Sequence, residues 1–187
     1  MFALNQILAL SVIVLSFVAP ATKESDGLSA PTSSADATPK IVSVAPFTSV
    51  ELRNGGTAIL RYGASQRVTL IKGSLTCTEV TVAGGERLII DTGKNDCPRG
   101  YELEIDIVTP NIKGLAVANG GLLQSLGNFP GLTAISVAVN QGGAIDLRSI
   151  TVQSVTAAVR SGGRILVRPQ TSLVASVADG AAAALCR

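Results

Sequence analysis

The sequence predicts an all-β protein and, more specifically, a short right-handed parallel β-helix (β-solenoid) with coils of about 20 residues. Three observations predict this fold. Paired glycines recur at short intervals, the runs between them are short and β-prone, and equivalent positions carry the same or similar residues from one interval to the next. Helices of ordinary length do not fit between glycine pairs that lie so close together.

Four 14-residue frames carry the repeat. They begin at Gly114, Ser136, Thr156 and Val174, so their starts advance by 22, 20 and 18 residues. In every frame the fourth residue is Val, the sixth is Asn, Gln, Ser or Asp, and the seventh is Gly. A related frame begins at Ser49, and the sequence around Gly84 is a weaker copy.

Each frame is predicted to form a strand, a tight turn and a second strand. Glycine supplies the positive φ that such a turn needs, and the Asn, Asp or Ser before it supports the same bend. The predicted structural turn residues are Gly120, Gly121, Gly142, Gly143, Gly162, Gly163 and Gly180. The last frame has Ala181 after its first glycine.

Two architectures can hold such units: an antiparallel sandwich or barrel of hairpins, and a parallel β-helix. Hairpins give no reason for successive repeats to match position by position, whereas strands stacked about 4.8 Å apart place equivalent residues over one another. The match therefore favours the β-helix. Its inward-facing column is predicted to be Val117, Val139, Val159 and Val177, supported by Ile145, Leu147, Ile165 and Val167, with Asp146 and Arg148 outward.

The chain divides into three segments. Residues 1–21 are uncharged and largely apolar and end in a small-x-small site, which predicts a signal peptide cleaved after Ala21, although no Lys or Arg precedes the apolar run. An uncleaved N-terminal anchor is the alternative. Residues 22–40 are rich in Ser, Thr, Ala and Pro and predict a disordered linker. Residues 41–187 are the predicted β-helix domain, exported to the periplasm, the outer membrane surface or the extracellular space.

Composition excludes some function classes. The formal net charge is only +2, the charges are scattered and aromatic residues make up 3% of the chain, which argues against a nucleic-acid partner. The absence of His excludes the usual nucleophilic catalytic triads. No cofactor is predicted, and the chain is expected not to be an enzyme.

The three cysteines fit an exported protein. Cys77 and Cys97 lie 20 residues apart, each at the end of a strand-like run, and are the favoured disulfide pair. A metal site is disfavoured, because the chain has no His and no C-x-x-C spacing. Cys186 is then left to pair with another molecule or to be buried as a small apolar side chain.

Two groups of charged residues are candidates for a binding surface. Glu102, Glu104 and Asp106 alternate with apolar residues, so a strand places all three on one face. That face fits a glycosidase or a Ca²⁺ site, or is simply solvated. A second group recurs near the turns and is either a basic strip for acidic glycans or anionic lipid head groups or an ordinary surface. It comprises Arg148, Arg160, Arg164 and Arg168.

The order of the segments resembles a known family. The apolar leader, the Ser/Thr-rich linker, "PFTSVELRNGGTAILRYG", "LEIDIVTPNIKGLAVANGG" and the glycine-pair turns together are similar to the auto-transporter adhesin head domain, or GIN domain, family over residues 46–187. The resemblance implies a β-helix-like fold, export to the cell envelope and an adhesin role, and it transfers no catalytic residue. Where the family often has Gly-x-Gly at its turns, this chain mostly has Gly-Gly.

The expected function is therefore a non-catalytic cell-envelope or surface protein with an adhesin-like binding role, whose partner is a glycan or another cell-surface component. The alternatives are a polysaccharide-active enzyme that uses outward carboxylates, and a purely structural or assembly element. The last frame runs through AAAALCR without a polar cap, which predicts end-to-end self-association, with Cys186 pairing across the contact.

Overall fold

A computed structural model describes residues 38–94 and 97–185. The predicted signal peptide, nearly all of the predicted linker and Cys186 lie outside the described residues. No residue in the described ranges is helical. The chain in those ranges therefore belongs to the all-β class that the sequence predicts.

The described residues form fifteen strands. They are β1 (Lys40–Val42), β2 (Ser49–Arg53), β3 (Thr57–Tyr62), β4 (Arg67–Lys72), β5 (Glu79–Ala83), β6 (Arg87–Asp91), β7 (Glu104–Thr109), β8 (Gly114–Ala118), β9 (Leu122–Leu126), β10 (Ala134–Asn140), β11 (Ala144–Asp146), β12 (Val152–Val159), β13 (Arg164–Val167), β14 (Pro169–Val177) and β15 (Ala182–Leu185).

These strands form two sheets. Sheet A has the order β1-β4-β7-β3-β9-β11-β13-β15, and sheet B has the order β14-β12-β10-β8-β2-β6-β5. From β8 onward the chain alternates between the sheets, so every repeat frame gives its first strand to sheet B and its second to sheet A. Alternate residues of both sheets contribute to one buried hydrophobic cluster, which is the core.

The predicted right-handed parallel β-helix is wrong. Both sheets are mixed: β4 pairs antiparallel with β1 and β7 in sheet A, and β5 pairs antiparallel with β6 in sheet B, while the other pairs are parallel. Each frame supplies two strands, one to each sheet. The sequence pattern indicates which residues stack on one another, but it does not indicate how many sheets the stacked strands form.

The predicted valine column is present as a run of parallel partners. Val139 pairs with Val117 on one side and with Val159 on the other, and Val159 pairs with Val177. The first three are at most 2% exposed, whereas Val177 is 48% exposed. The prediction that Val177 is buried in the inward-facing column is therefore wrong. β14 is the outermost strand of sheet B, and no described strand covers it.

The glycine pairs form the corners that carry the chain from sheet B to sheet A. In the second frame Gln141 and Gly142 both have positive φ, 57° and 79°. The second glycine has a different role: a Cβ on Gly163 would lie 2.5 Å from Val139 Cγ1, too close for a real side chain. In the second and third frames, the first glycine therefore allows the bend, and the second, Gly143 or Gly163, allows the corner to approach the valine column.

The weaker copy around Gly84 has another role. Gly85 and Glu86 adopt positive φ, but the residues on either side belong to the antiparallel pair β5 and β6. Positive φ in consecutive residues is what a tight hairpin connection requires. Similar turn chemistry thus closes a hairpin here and turns a corner between sheets elsewhere.

The Cys77–Cys97 pair is a disulfide with a Cα–Cα distance of 5.4 Å. It joins the connection before β5 to the connection after β6. Tyr101 reinforces the same region, because its hydroxyl oxygen accepts a hydrogen bond from Ser74 N at 2.7 Å and lies 2.7 Å from Thr78 Oγ1. This cross-linked region lies at the end of the molecule opposite β14.

We expect Gly163→Ala to lower the free energy of unfolding by about 1–3 kcal/mol, because the added methyl overlaps Val139. The matched control is Gly162→Ala, which has open space around its Cβ position but a φ of 76°, and which costs about 1–2 kcal/mol through backbone strain. In a Val139→Ala background, urea denaturation should show a smaller cost for Gly163→Ala and an unchanged cost for Gly162→Ala. Equal costs in the two backgrounds would contradict the overlap.

Reducing the disulfide should destabilise the protein by about 3 kcal/mol, the loop-entropy estimate for a closed loop of this size. Urea midpoints with and without reductant measure the effect. The Cys77→Ala, Cys97→Ala double variant, which retains Cys186, should match the reduced protein and be insensitive to reductant. A reductant effect of equal size in that double variant would instead assign the effect to Cys186.

Candidate functional site

The three carboxylates of residues 102–106 do not converge on one site. Glu104 and Asp106 lie in β7, and Glu102 precedes it. Glu102 forms an ion pair with Lys72, and Asp106 Oδ1 lies 2.6 Å from Arg61 Nε. Two of the three carboxylates are thus each neutralised by a different cation.

Glu102 and Glu104 nevertheless share a pocket of about 330 Å³ with Lys72 and Tyr101. Glycoside hydrolysis needs one carboxyl whose pKa is raised so that it can donate a proton. The hydrogen bond from Lys72 instead lowers the pKa of Glu102, together with the charge of the same ammonium group. Glu102 therefore does not have the raised pKa that the general acid of a glycosidase requires.

Within residues 38–94 and 97–185, no three His, Cys, Asp or Glu side chains group together in a way that could hold a metal ion. The predicted face of Glu102, Glu104 and Asp106 consequently does not form a Ca²⁺ cage in this structure. No helix in the described ranges is long and apolar enough to cross a bilayer.

The four candidate arginines are divided between the two sheets. Arg164 lies in β13 of sheet A, and Arg148 and Arg168 follow β11 and β13 of that sheet. Arg160 follows β12 of sheet B. They therefore do not form one continuous strip.

Arg148 binds the neighbouring Asp146 with two parallel contacts, Nε to Oδ1 at 2.9 Å and Nη2 to Oδ2 at 2.6 Å. This hydrogen bond is the main cause that lowers the pKa of Asp146, against a smaller opposing effect of burial. A bidentate pair is geometrically well defined, but at a partly exposed site it contributes little energy.

Asp146→Asn should therefore change how the free energy of unfolding depends on pH in the acid range. Because the folded-state pKa lies below the ordinary value of 3.8, the contribution of Asp146 is present above that pH and is lost as the pH falls through the folded-state value. We expect the variant to be less stable than the native protein by about 0.2–1 kcal/mol at neutral pH, with the difference vanishing in acid. Urea midpoints from neutral pH down to acid measure this. A constant difference across the range would contradict the assignment.

The outer face of sheet B contains a shallow depression, which we call the alanine trough. Its floor is formed by outward side chains of β8, β10 and β12: Gly114, Ala116, Ala118, Ser136, Ala138, Thr156 and Ala158. Two contiguous depressions of about 320 and 350 Å³ share Ala116, Ala138 and Ala158. These three alanines are direct partners in the parallel ladder.

Strand alternation explains the trough. Successive side chains point to opposite faces of a sheet, so each residue next to a buried valine faces outward. Ala138 lies between buried Val137 and Val139, and Ala158 lies between buried Ala157 and Val159. Because the outward residues on three adjacent strands are small and their neighbours on β2 and β6 are large, the surface is concave.

One side of the trough carries a charged cluster. Glu51 on β2 is only 12% exposed, its Oε1 accepts a hydrogen bond from Arg53 Nε at 2.6 Å, and its Oε2 lies 3.4 Å from Arg87 Nη1. Among the described residues that buried Oε2 atom has no hydrogen-bond partner, so the Arg87 contact is electrostatic only. Glu51 also raises the pKa of Arg53 through their hydrogen bond.

The C-terminal end of the trough carries a different cation. Arg160 lines the same depression as Glu51 and Ala138. Within the described ranges its guanidinium makes no ion pair and no side-chain hydrogen bond. Arg160 is thus the one member of the predicted arginine group that lies at the trough.

The alanine floor was not predicted from the sequence. A signal was nevertheless present: the third residue of the first three frames is Ala, and in the fourth frame it is Ser176. That column sits beside the valine column, so strand alternation places it on the outer face. A small residue at every such position predicts a smooth, depressed surface.

Comparison with known proteins gives only structural likenesses of low identity. The chain is similar to a putative adhesin from Bacteroides fragilis NCTC 9343, with 12% identity and a TM-score of 0.49 over 79% of this chain and 95% of that one. It is also similar to a putative cell adhesion protein from Clostridium sporogenes ATCC 15579, with 12% identity and a TM-score of 0.44 over 79% and 98%.

A third similar structure is that of a putative lipid binding protein from Parabacteroides distasonis ATCC 8503, with 9% identity and a TM-score of 0.35 over 80% of this chain and 96% of that one. No family model matches the chain, and no curated protein matches it. The resemblance to the GIN domain family thus has no family-model match behind it. Likenesses at this level do not assign a function.

Proposed function

We propose that this chain is an exported, non-catalytic binding module of the cell surface, with an adhesin-like role, and that it holds an acidic glycan in the alanine trough. The observation that carries the proposal is the trough itself, a concave, small-residue surface on an otherwise regular sheet, with cations at its sides. The disulfide between Cys77 and Cys97 is consistent with export, because disulfides persist in oxidising compartments.

The shape of the trough suits an extended polymer. Neighbouring strands lie about 4.8 Å apart, so a floor of three strands is roughly 10 Å wide, comparable to one sugar ring with its substituents. The methyl groups of Ala116, Ala138 and Ala158 can contact the C–H face of a ring, while the hydroxyls of Ser136 and Thr156 can bond its edge. Short side chains lose little rotamer entropy on binding.

The charges around the trough favour an acidic ligand over a neutral one. Arg87 and Arg160 line the trough, and Arg53 pairs with Glu51, the one carboxylate among the described residues that line it. Arg160 is the strongest candidate to meet a ligand carboxylate or sulfate, because a guanidinium presents a planar fork of donors and here has no other charged partner among the described residues.

Binding rather than catalysis is proposed because glycoside hydrolysis uses a pair of carboxyl groups, one on each side of the scissile bond. Among the described residues that line the trough, Glu51 is the one carboxylate, and it is held between Arg53 and Arg87. The polysaccharide-active enzyme therefore remains the less supported alternative.

Ala138→Glu should abolish binding of an acidic glycan, because it places a bulky negative group at the centre of the floor. Ala138→Ser is the matched control and should bind normally, since it adds only a hydroxyl. Ala138 is exposed, so neither change should disturb folding. Isothermal titration against acidic and neutral oligosaccharides measures the effect. Equal affinity of Ala138→Glu and the native protein would refute the trough as the binding surface.

A second pair of variants tests the charge. Arg160→Gln should weaken acidic-glycan binding roughly tenfold, the loss expected for one charge-assisted hydrogen bond. Arg164→Gln removes an equivalent charge from sheet A and should have no effect. If the two variants weaken binding equally, the glycan is held by general charge attraction and the assignment of Arg160 is wrong.

A further inference from the structure

Within residues 38–94 and 97–185 the two sheets end unequally, and the end formed by β14 and β15 is open. β14 is the last strand of sheet B and β15 the last of sheet A. β14 is nine residues long, carries no charged residue and is exposed along most of its length. Long edge strands without charges offer unpaired backbone groups to another strand, and proteins normally protect them.

The hydrophobic core is also open at this end. Val177 continues the valine column yet is 48% exposed, and Leu173 and Ala175 stand next to buried Val155 and Ala157 in the parallel ladder. In the interior frames a following strand covers these positions. Here, among the described residues, nothing does.

The backbone groups that face outward can be identified. Ala178 N donates to Val159 O at 3.0 Å, so residue 178 is directed toward β12. In a parallel ladder the N–H and C=O of one residue point to the same neighbour, and the direction alternates along the strand. The N–H and C=O groups of Leu173, Ala175 and Val177 therefore point away from β12, toward the open edge.

The opposite end of the molecule is closed in a different way. Sheet B ends at β5, the outer strand of a hairpin, and sheet A ends at β1, which has three residues; both strands run antiparallel to their neighbours. The disulfide between Cys77 and Cys97 cross-links the connections there. Head-to-tail stacking of copies would have to match these two dissimilar ends, so it is disfavoured.

We propose that the open end binds a second copy of this chain, with β14 pairing antiparallel to β14 across a two-fold axis perpendicular to both sheets. Pairing centred on Leu173, the middle residue of β14, places the inward side chains of the two strands on the same side and closes the core. The same surface is used on both copies, so assembly stops at the dimer.

The charges that flank β14 fit this arrangement. Arg168 immediately precedes the strand, and Asp179 follows it by two residues; both are exposed. Antiparallel pairing centred on Leu173 places Arg168 of one copy opposite Ala178 of the other, next to the Asp179 that follows it, twice in each dimer. A parallel partner of the same sequence would instead place like charges together.

Sedimentation velocity on the full chain purified after export, over a range of concentrations, should show a monomer–dimer equilibrium. Arg168→Glu should raise the dimer dissociation constant roughly tenfold or more, because it replaces two attractions with two repulsions. Adding Asp179→Arg should restore the dimer. Gln141 and Glu86 show that a longer side chain is accepted at a positive-φ turn position like that of Asp179.

Ala175→Pro is a second block, since it removes an edge N–H that does not donate to β12, and proline is tolerated at sheet edges. Hydrogen exchange of the Leu173, Ala175 and Val177 amides should be slow in the native dimer. In the Ala175→Pro variant residue 175 has no amide hydrogen, and exchange of the Leu173 and Val177 amides should be fast. A native protein that is monomeric at every concentration overturns the proposal, and protected edge amides in that monomer would mean that another part of the chain covers the edge. An open-ended polymer also overturns it. None of these outcomes affects the alanine trough, which is tested separately by glycan binding.

Discussion

The in-register parallel stacking of the repeat frames is the constraint on which the rest of this structure depends. A strand placed one residue out of register would move every inward side chain to the outer face. The valine column prevents this slip, since Val139 lies between Val117 and Val159 and its Cγ1 fills the space where a Cβ on Gly163 would be. The corner glycine and the column valine are therefore a matched pair.

The same alternation that builds the core also determines both outer faces. On sheet A several outward residues are charged and pair locally, as Asp106 does with Arg61 and the neighbouring Arg148 does with Asp146. On sheet B the outward residues of β8, β10 and β12 are small, and the charges are confined to the sides. The outer face of sheet B therefore has a depressed surface that a ligand can fill.

The proposed dimer and the proposed binding surface would reinforce each other. A two-fold axis perpendicular to both sheets keeps the outer face of sheet B on the same side of the assembly in both copies. The two troughs would then meet the same polymer or the same cell surface, and the second binding event would be intramolecular. Weak individual sites on shallow surfaces gain most from such an arrangement, since each trough lacks a deep pocket.

The features of this fold that depend on short stretches of chain were predictable from the sequence. The frames, the turn residues and the stacking of equivalent positions followed from the sequence, because each depends on a short stretch of chain and on a period of two. The Cys77–Cys97 pair was also reached from the positions of the two residues, and the structure joins them. The all-β class required only the spacing of the glycines.

Other features were decided by the tertiary structure. The alternation of apolar and polar residues indicates whether a residue faces inward or outward, but it does not indicate to which sheet its strand belongs. The sequence therefore predicted a β-helix where the structure has two mixed sheets. For the same reason Arg160 was grouped with three arginines of the other sheet. The Gly84 copy closes a hairpin because its second strand, β6, returns antiparallel to β5 beside β2 in sheet B. Val177 is exposed because burial requires a covering strand, and a repeat pattern is identical whether or not that strand exists. By itself the sequence determined which residues stack; only the packing of the two sheets decided what covers them, because that depends on contacts between residues far apart in the chain.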